Sequence, residues 1–202
     1  MIVLYFLCGL YFLGMLFILI YSLAQGHLLF HFLKARKEWA STPQVTPSSW
    51  PKVTVQLPVF NELYVVERLI DAAAKLNYPK ELLEIQILDD STDQTVDLIQ
   101  AKLKEYPDIN FRYLHRTDRK GFKAGALREG LVKASGEFIA IFDADFVPDP
   151  DFFLKTIPFF SSEKIGMVQT RWTHLNRDYS LLTRLQAFAL DAHFFIEQMG
   201  RN

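Results

Sequence analysis

The chain has 202 residues, with 22 lysines and arginines against 23 aspartates and glutamates and a net charge of −1. That balance provides no field of the kind that gathers nucleic acid, so no nucleic-acid partner is expected. A single cysteine, Cys8, excludes an internal disulfide and a cysteine-built zinc site.

The length suits one domain of ordinary size plus an appendage, and the hydrophobic half of the residues is concentrated at the front. From Ile2 to Leu33 there is no Asp, Glu, Lys or Arg. A bilayer-spanning helix needs about 20 apolar residues. Residues 1–33 therefore read as a transmembrane anchor, with spare turns carrying Gln25, His27 and His31 along the interface. A cleaved signal peptide is the other reading, but it has a basic front end and a shorter apolar core, and nothing basic precedes this run. Lys34, Arg36 and Lys37 follow at once. Positive residues stay on the cytoplasmic side, which predicts an N-terminus facing out and a cytoplasmic remainder. Residues 34–51 read as a basic juxtamembrane segment and linker, with three prolines, three serines and two threonines between Ala40 and Pro51.

The remainder, 52–202, alternates strand and helix. Val53–Leu57 is a β-branched run stopped by Pro58. Glu62–Leu76 has helical spacing (Val65, Val66, Leu69, Ile70, Ala73, Leu76) and ends at Asn77-Tyr78-Pro79. Glu84–Leu88 is a second strand entering Asp89-Asp90, and Ser91 or Thr92 is placed to cap a helix running to about Tyr106. Phe111–Leu114 is a third strand and Lys123–Ala134 a helix. Phe138–Phe142 is a fourth strand, wholly apolar and so expected at a central, buried position. Val168 and Trp172 read as core residues of a fifth strand with Arg171 at the surface, in preference to an Arg-Trp pair stacking on a sugar. Leu181–Gln198 looks amphipathic. The pattern predicts an α/β fold with a mostly parallel sheet and helices on both faces.

Ligands of such sheets bind beyond the carboxyl ends of the strands. The polar clusters fall there: Asn61-Glu62, Asp89-Asp90, His115 with Arg116, and Asp143 with Asp145. Asp143 and Asp145, two apart, share a face if the strand continues, and paired carboxylates suit Mg2+ or Mn2+ completed by substrate phosphates. Two solvated carboxylates in a turn are the bland alternative. Lys123-Ala124-Gly125 opens a helix, where amide donors and a lysine suit an anion; a solvated basic turn with Arg116, Arg119 and Lys120 is the alternative. Asp89 is placed to accept from a base or ribose, with Asp90 partly capping the next helix. Asn61 and Glu62 are explained equally by helix capping and by a nucleotide contact. The five histidines have no metal-ligand spacing.

Pro58-Val-Phe-Asn-Glu62, Leu88-Asp-Asp90 with Ser91-Thr-Asp93, Gly121-Phe-Lys-Ala-Gly-Ala126 and Phe142-Asp-Ala-Asp-Phe-Val-Pro148 together resemble the family 2 glycosyltransferases. The likeness is greatest to cellulose-synthase-like members, the mannan and glucan synthases, and runs from about Lys52 to the end. It implies a GT-A fold and inverting transfer of a hexose from a nucleotide diphosphate sugar, UDP-glucose or GDP-mannose, to a growing polysaccharide or a lipid. A non-catalytic nucleotide-sugar-binding fragment is the other reading. A nucleotidyltransferase would need a glycine-rich phosphate loop after the first strand, and Pro58-Val-Phe-Asn61 offers none. By the resemblance, Pro58, Asn61 and Glu62 line the donor site, Asp89 contacts the base and Lys123 the nucleotide. Asp143 holds the ribose or diphosphate side and shares with Asp145 a Mg2+ or Mn2+ ion. The family's Thr-Glu-Asp-like motif, which carries the catalytic base, and its Gln-x-x-Arg-Trp motif do not occur here; Gln169-Thr-Arg-Trp172 has one residue too few. The base is expected beyond Asn202, in the rest of a longer enzyme.

Overall fold

The computed structural model describes residues 1–35, 49–162 and 164–194. Arg36, Lys37, most of the linker and the end of the amphipathic stretch lie outside the described residues. The chain divides into two compact units, Thr42–Met167 and Met1–Ser41 with Val168–Asn202.

The first unit is built on four parallel strands in the order β3-β2-β1-β4: β1 Val53–Val59, β2 Leu83–Asp89, β3 Phe111–His115 and β4 Phe138–Ile141. Side chains alternate between the two faces of a strand, and here the alternation separates two different chemistries. Val53, Val55, Leu57 and Val59 of β1, with Ile85 and Ile87 of β2, form one face. They join Val66, Leu69, Ile70 and Ala73 of α2 (Val66–Ala74) and Ile99 of α3 (Thr95–Leu103) in the apolar core. Full burial of such a side chain contributes about 1.5–3 kcal/mol.

The opposite face carries Thr54, Gln56, Glu84 and Gln86, all at most 3% exposed. Buried polar groups must be satisfied internally, and most of these are. Gln56 Nε2 donates to Gln86 Oε1 (3.1 Å) and the Leu127 carbonyl (3.4 Å). Glu84 accepts from Thr54 Oγ1 (2.8 Å), Ser135 N (2.8 Å), Ser135 Oγ (2.7 Å) and Arg112 Nη1 (3.2 Å). Burial alone would raise the Glu84 carboxyl, but these bonds outweigh it and hold it at about 2. Helix α4 (Phe122–Lys133) packs on β1 and β2 with small residues inward, Gly125, Ala126 and Gly130. A Cβ on Gly130 would lie 2.6 Å from Gln56 Nε2 and 2.8 Å from Gln86 Oε1.

Several local expectations are corrected. Strand β1 does not stop at Pro58 but runs through it, opposite Leu88. Gln56 and Pro58 present their backbone toward β4, whose pairing ends at Gln56, so the missing N–H of Pro58 falls where no partner strand remains. The wholly apolar β4 is not central: it is the edge of the described sheet. Because α4 packs on β1 and β2, Ile139 and Ile141 on that face stay 37% and 48% exposed. Helix α2 begins at Val66 without a side-chain cap. Neither Ser91 nor Thr92 caps α3; the Asp93 carboxylate accepts from Thr95 N (3.0 Å) instead. Beyond β4, the helix α5 (Phe152–Thr156) sets Phe153 against Tyr78, ring centroids 5.3 Å apart.

In the second unit, α1 (Ile2–Ala35) contains an apolar stretch, Ile2–Lys34, long and apolar enough to cross a membrane, with mean hydropathy 2.5. At 1.5 Å per residue it is about 50 Å long, more than the roughly 30 Å of a hydrocarbon core. Residues 168–172 form no strand; Trp172 is 48% exposed. The segment is tied instead to α6 (Leu181–Ala192), with Arg171 beside Asp191 (3.4 Å) and Trp172 edge-on to Phe194 (5.8 Å). Helix α6 opens on a capping box: Thr183 N donates to Ser180 Oγ (3.1 Å) and Ser180 N to Thr183 Oγ1 (2.9 Å).

Candidate functional site

The carboxyl ends of the strands are bound to one another. After β1 the chain turns at Asn61, which has φ 55, a left-handed conformation that asparagine tolerates. Asn61 N donates to Ser91 Oγ (2.9 Å), Thr92 N to Asn61 Oδ1 (2.9 Å) and Asp90 N to the Val59 carbonyl (3.0 Å). Asn61 thus braces the ends of β1 and β2 and does not cap α2. Glu62 starts α2 through its backbone carbonyl, which accepts from Val65 N and Val66 N.

Asp89 is fully buried. Its Oδ1 accepts from Ser91 N (2.9 Å), and its Oδ2 meets Tyr113 OH (2.7 Å) and His115 Nδ1 (3.2 Å). Burial and then this bond push the Tyr113 hydroxyl well up. The Asp89 carboxylate therefore faces protein on every side, and Pro58 is likewise buried in β1. Asp90 points to the other face. It is not a helix cap: Arg116 grips it in a bidentate pair, Nε to Oδ1 at 2.7 Å and Nη2 to Oδ2 at 2.6 Å. Arg116 also bonds Glu129 of α4 (3.1 Å) and the carbonyls of Lys120 (3.3 Å) and Phe122 (3.1 Å).

From the end of β3 into the first residue of α4 the backbone takes three positive φ values: Arg119 (36), Gly121 (75) and Phe122 (51). The Arg119 guanidinium carbon sits 3.2 Å from the Phe60 ring centroid and 5.2 Å from that of Phe122, a stacked cation. This turn folds onto the first turn of α4. A Cβ on Gly125 would lie 1.9 Å from the Lys120 carbonyl oxygen. Gly125 is thus required by its own turn.

One residue beyond the turn, Lys123 Nζ forms an ion pair with Asp143 Oδ1. Asp143 and Asp145 lie past the end of β4, in a turn closed by Phe146 N donating to the Asp143 carbonyl (3.0 Å). Their proximity comes from that turn and not from a shared strand face. Asp145 is exposed, and Arg68 of α2 donates to its backbone carbonyl (3.4 Å). Among the described residues no ion pair engages the Asp145 carboxylate, and no group of three or more His, Cys, Asp or Glu side chains could hold a metal by itself. Two hard carboxylates, one beside an ammonium, fit a Mg2+ or Mn2+ ion whose remaining ligands are phosphate oxygens and water.

Of the residues singled out from the sequence, Lys123 and Asp143 meet, with Asp145 in the same turn. Asn61 stands with Ser91 and Thr92; Asp89 and Pro58 are enclosed. The sequence places Arg116 with His115 among the polar strand ends and beside a basic turn; it does not reveal its partners, Asp90 and Glu129, which lie far away in the chain.

A family model described as "Glycosyl transferase family 2" matches residues 54–200. A probable glucomannan 4-beta-mannosyltransferase from Oryza sativa subsp. japonica is 46% identical over 168 residues, covering 80% of this chain and 31% of that protein. Glucomannan 4-beta-mannosyltransferase 2 from Arabidopsis thaliana is 46% identical over 158 residues, covering 75% of this chain and 30% of that protein. The chain spans about a third of the length of these curated relatives. Among solved structures, a mannosyltransferase from Pyrobaculum calidifontis in complex with GDP-Man and Mn2+ aligns with a TM-score of 0.62 at 28% identity, covering 78% of this chain and 46% of that one.

Proposed function

The chain belongs to glycosyltransferase family 2, and on that premise we propose that it carries the donor-binding part of a membrane-anchored hexosyltransferase that takes a mannosyl group from GDP-mannose and passes it, with inversion, to a β-linked glycan. The family match and the GDP-Man complex of the similar archaeal protein support the donor class. The plant relatives, named as glucomannan mannosyltransferases, support the acceptor class. The apolar helix α1 with Lys34 at its end supports an anchor with the sheet on the cytoplasmic side.

The observation that carries the reading is the meeting of Lys123 with Asp143 in the loop cluster that also holds Asp145. In the transfer, an acceptor hydroxyl oxygen bonds to the anomeric carbon as the bond from that carbon to the diphosphate oxygen breaks. The departing nucleoside diphosphate gains negative charge. Lys123, released from Asp143, supplies an ammonium to it from the first turn of α4, an end of a helix that favours an anion. Asp145 and Asp143 would hold a divalent ion, which would further neutralise the diphosphate. Asn61, fixed by Ser91 and Thr92, lines the nucleoside end, with Asp89 holding His115 and Ser91 in place from below. No residue of this chain is assigned as the base that removes the acceptor proton.

Titration calorimetry on the full chain in detergent tests this. GDP binds in the presence of Mn2+ and loses affinity in excess chelator. Asp145→Asn removes the Mn2+ dependence, with a loss on the order of tenfold or more in GDP affinity. Equal GDP affinity with and without metal, or unchanged metal dependence in Asp145→Asn, refutes the assignment. Tighter binding of UDP than of GDP reassigns the donor.

A further inference from the structure

We propose that Arg116 is a positioning residue, whose role is to hold the Lys120–Phe122 turn so that Lys123 is delivered to the donor diphosphate. The inference rests on the reading that Lys123 meets that diphosphate. A guanidinium carries five N–H donors in a fixed fork, and Arg116 has five acceptors: both carboxylate oxygens of Asp90, one of Glu129, and the carbonyls of Lys120 and Phe122. Its side chain is 8% exposed. With every donor engaged and two carboxylates against it, Arg116 has nothing left for a phosphate. Its cationic form is strongly favoured, first by the bond to Asp90.

The two carbonyls that it grips flank Gly121. The turn between them carries left-handed φ values at Gly121 and at Phe122, a bulky residue for which that region is disfavoured. Such a conformation persists only where surrounding contacts over-determine it. The contacts here are Arg116 from one side and the first turn of α4 from the other, where Gly125 leaves room for the Lys120 carbonyl. Gly125 N donates to the Gly121 carbonyl (2.9 Å). Lys123 follows Phe122 directly, so the rotation of the turn sets where its stem leaves α4. Arg116 thereby joins the ends of β2 and β3 to the cation that faces Asp143.

Lysine at this position would keep the charge and lose the fork. The test is a double-mutant cycle on the full chain in detergent with Mn2+, using GDP and GMP as probes. Arg116→Lys is expected to weaken GDP binding about tenfold, the size of one charge-assisted hydrogen bond to a phosphate, and to change GMP binding by less than about twofold. In a Lys123→Ala background, Arg116→Lys is expected to cost less than about twofold further for GDP. Thermal midpoints monitor folding, and Glu129→Ala, which removes a single acceptor of Arg116, carries the same cycle if Arg116→Lys fails to fold. Equal losses for GDP and GMP, additive losses with Lys123→Ala, or no loss at all would overturn the proposal. If the wild-type chain binds neither GDP nor UDP, the donor-site reading fails and this inference with it; nucleotide binding without the coupling sinks the inference alone.

Discussion

Replacing Gly130 by alanine sets two well-defined effects against each other. In a solvated helix interior the change stabilises by about 1 kcal/mol. At Gly130 the new methyl would lie 2.6 Å from Gln56 Nε2, 0.8 Å short of an ordinary 3.4 Å contact, and 2.8 Å from both Gln86 Oε1 and Leu88 Cδ2. Gln56 and Gln86 are 1% and 0% exposed, so neither side chain can swing out to solvent. Either α4 lifts or the amide pair separates. Overpacking of this kind costs about 1–3 kcal/mol, and separating the pair, which leaves buried amide groups unsatisfied, costs about another 1–3 kcal/mol. After the helix gain the net is a destabilisation of about 0–2 kcal/mol if α4 lifts and about 1–5 kcal/mol if the pair separates. Urea denaturation of the full chain in detergent, followed by far-ultraviolet circular dichroism, reads the sign directly. A midpoint higher than that of the wild type would show that α4 does not rest on the two glutamines, and the account of that face would fall.

Acid sensitivity follows from Glu84. Its carboxyl is held at about 2 against 4.5 as the unperturbed value, so the folded state favours the ionised form. The associated stability, about 3 kcal/mol by linkage, is fully present above pH 4.5 and is lost as pH falls from there toward 2. Glu84→Gln should flatten the fall in denaturation midpoint between pH 5 and pH 2.5, and a variant with the wild-type slope would refute the assignment. On the outer side of α2 and α3, Asp71 accepts from Tyr106 OH (2.5 Å) and pairs with Lys102 (2.9 Å), and the bond to Asp71 raises the Tyr106 hydroxyl. Asp71→Asn should bring Tyr106 back toward 10 in an ultraviolet pH titration, at a stability cost of about 1 kcal/mol or less; an unchanged tyrosine titration would contradict the contact.

The alternation of strand and helix made the parallel α/β sheet legible, because each β-branched run was bounded by turn residues and followed by a helical period. The spacing also placed Lys123 at the start of a helix and Asp143 and Asp145 at the end of the fourth strand; the structure has Lys123 in the first turn of α4, ion-paired with Asp143, and Asp145 in the turn after β4. What the sequence concealed depends on pairing across the sheet. Phe138–Ile141 is apolar whether it lies at the centre or at the edge, and strand order is set by which strands its backbone meets. Pro58 reads as a strand terminator unless it is known that β4 has already departed on that side. Asp89 and Asp90 look alike in a string of letters. Only the alternation of the pleat sends one beneath α3 to Tyr113 and His115 and the other to Arg116. The polar row Thr54, Gln56, Glu84, Gln86 was hidden for the same reason, since its members meet only once β1 and β2 are in register.

The division of the sheet into a greasy side and an amide-and-carboxylate side also forecasts how the protein tolerates change. Beneath α2 and α3, swaps among Val, Ile and Leu alter shape alone, and a core of that kind repacks with modest loss. Beneath α4 the neighbours are directional, and each change of Thr54, Gln56, Glu84 or Gln86 strands a partner with no water to turn to. Random libraries of this domain should therefore retain folded variants at odd-numbered positions of the first strand and lose them at Thr54 and Gln56, a parity in the survivors that deep sequencing would read out.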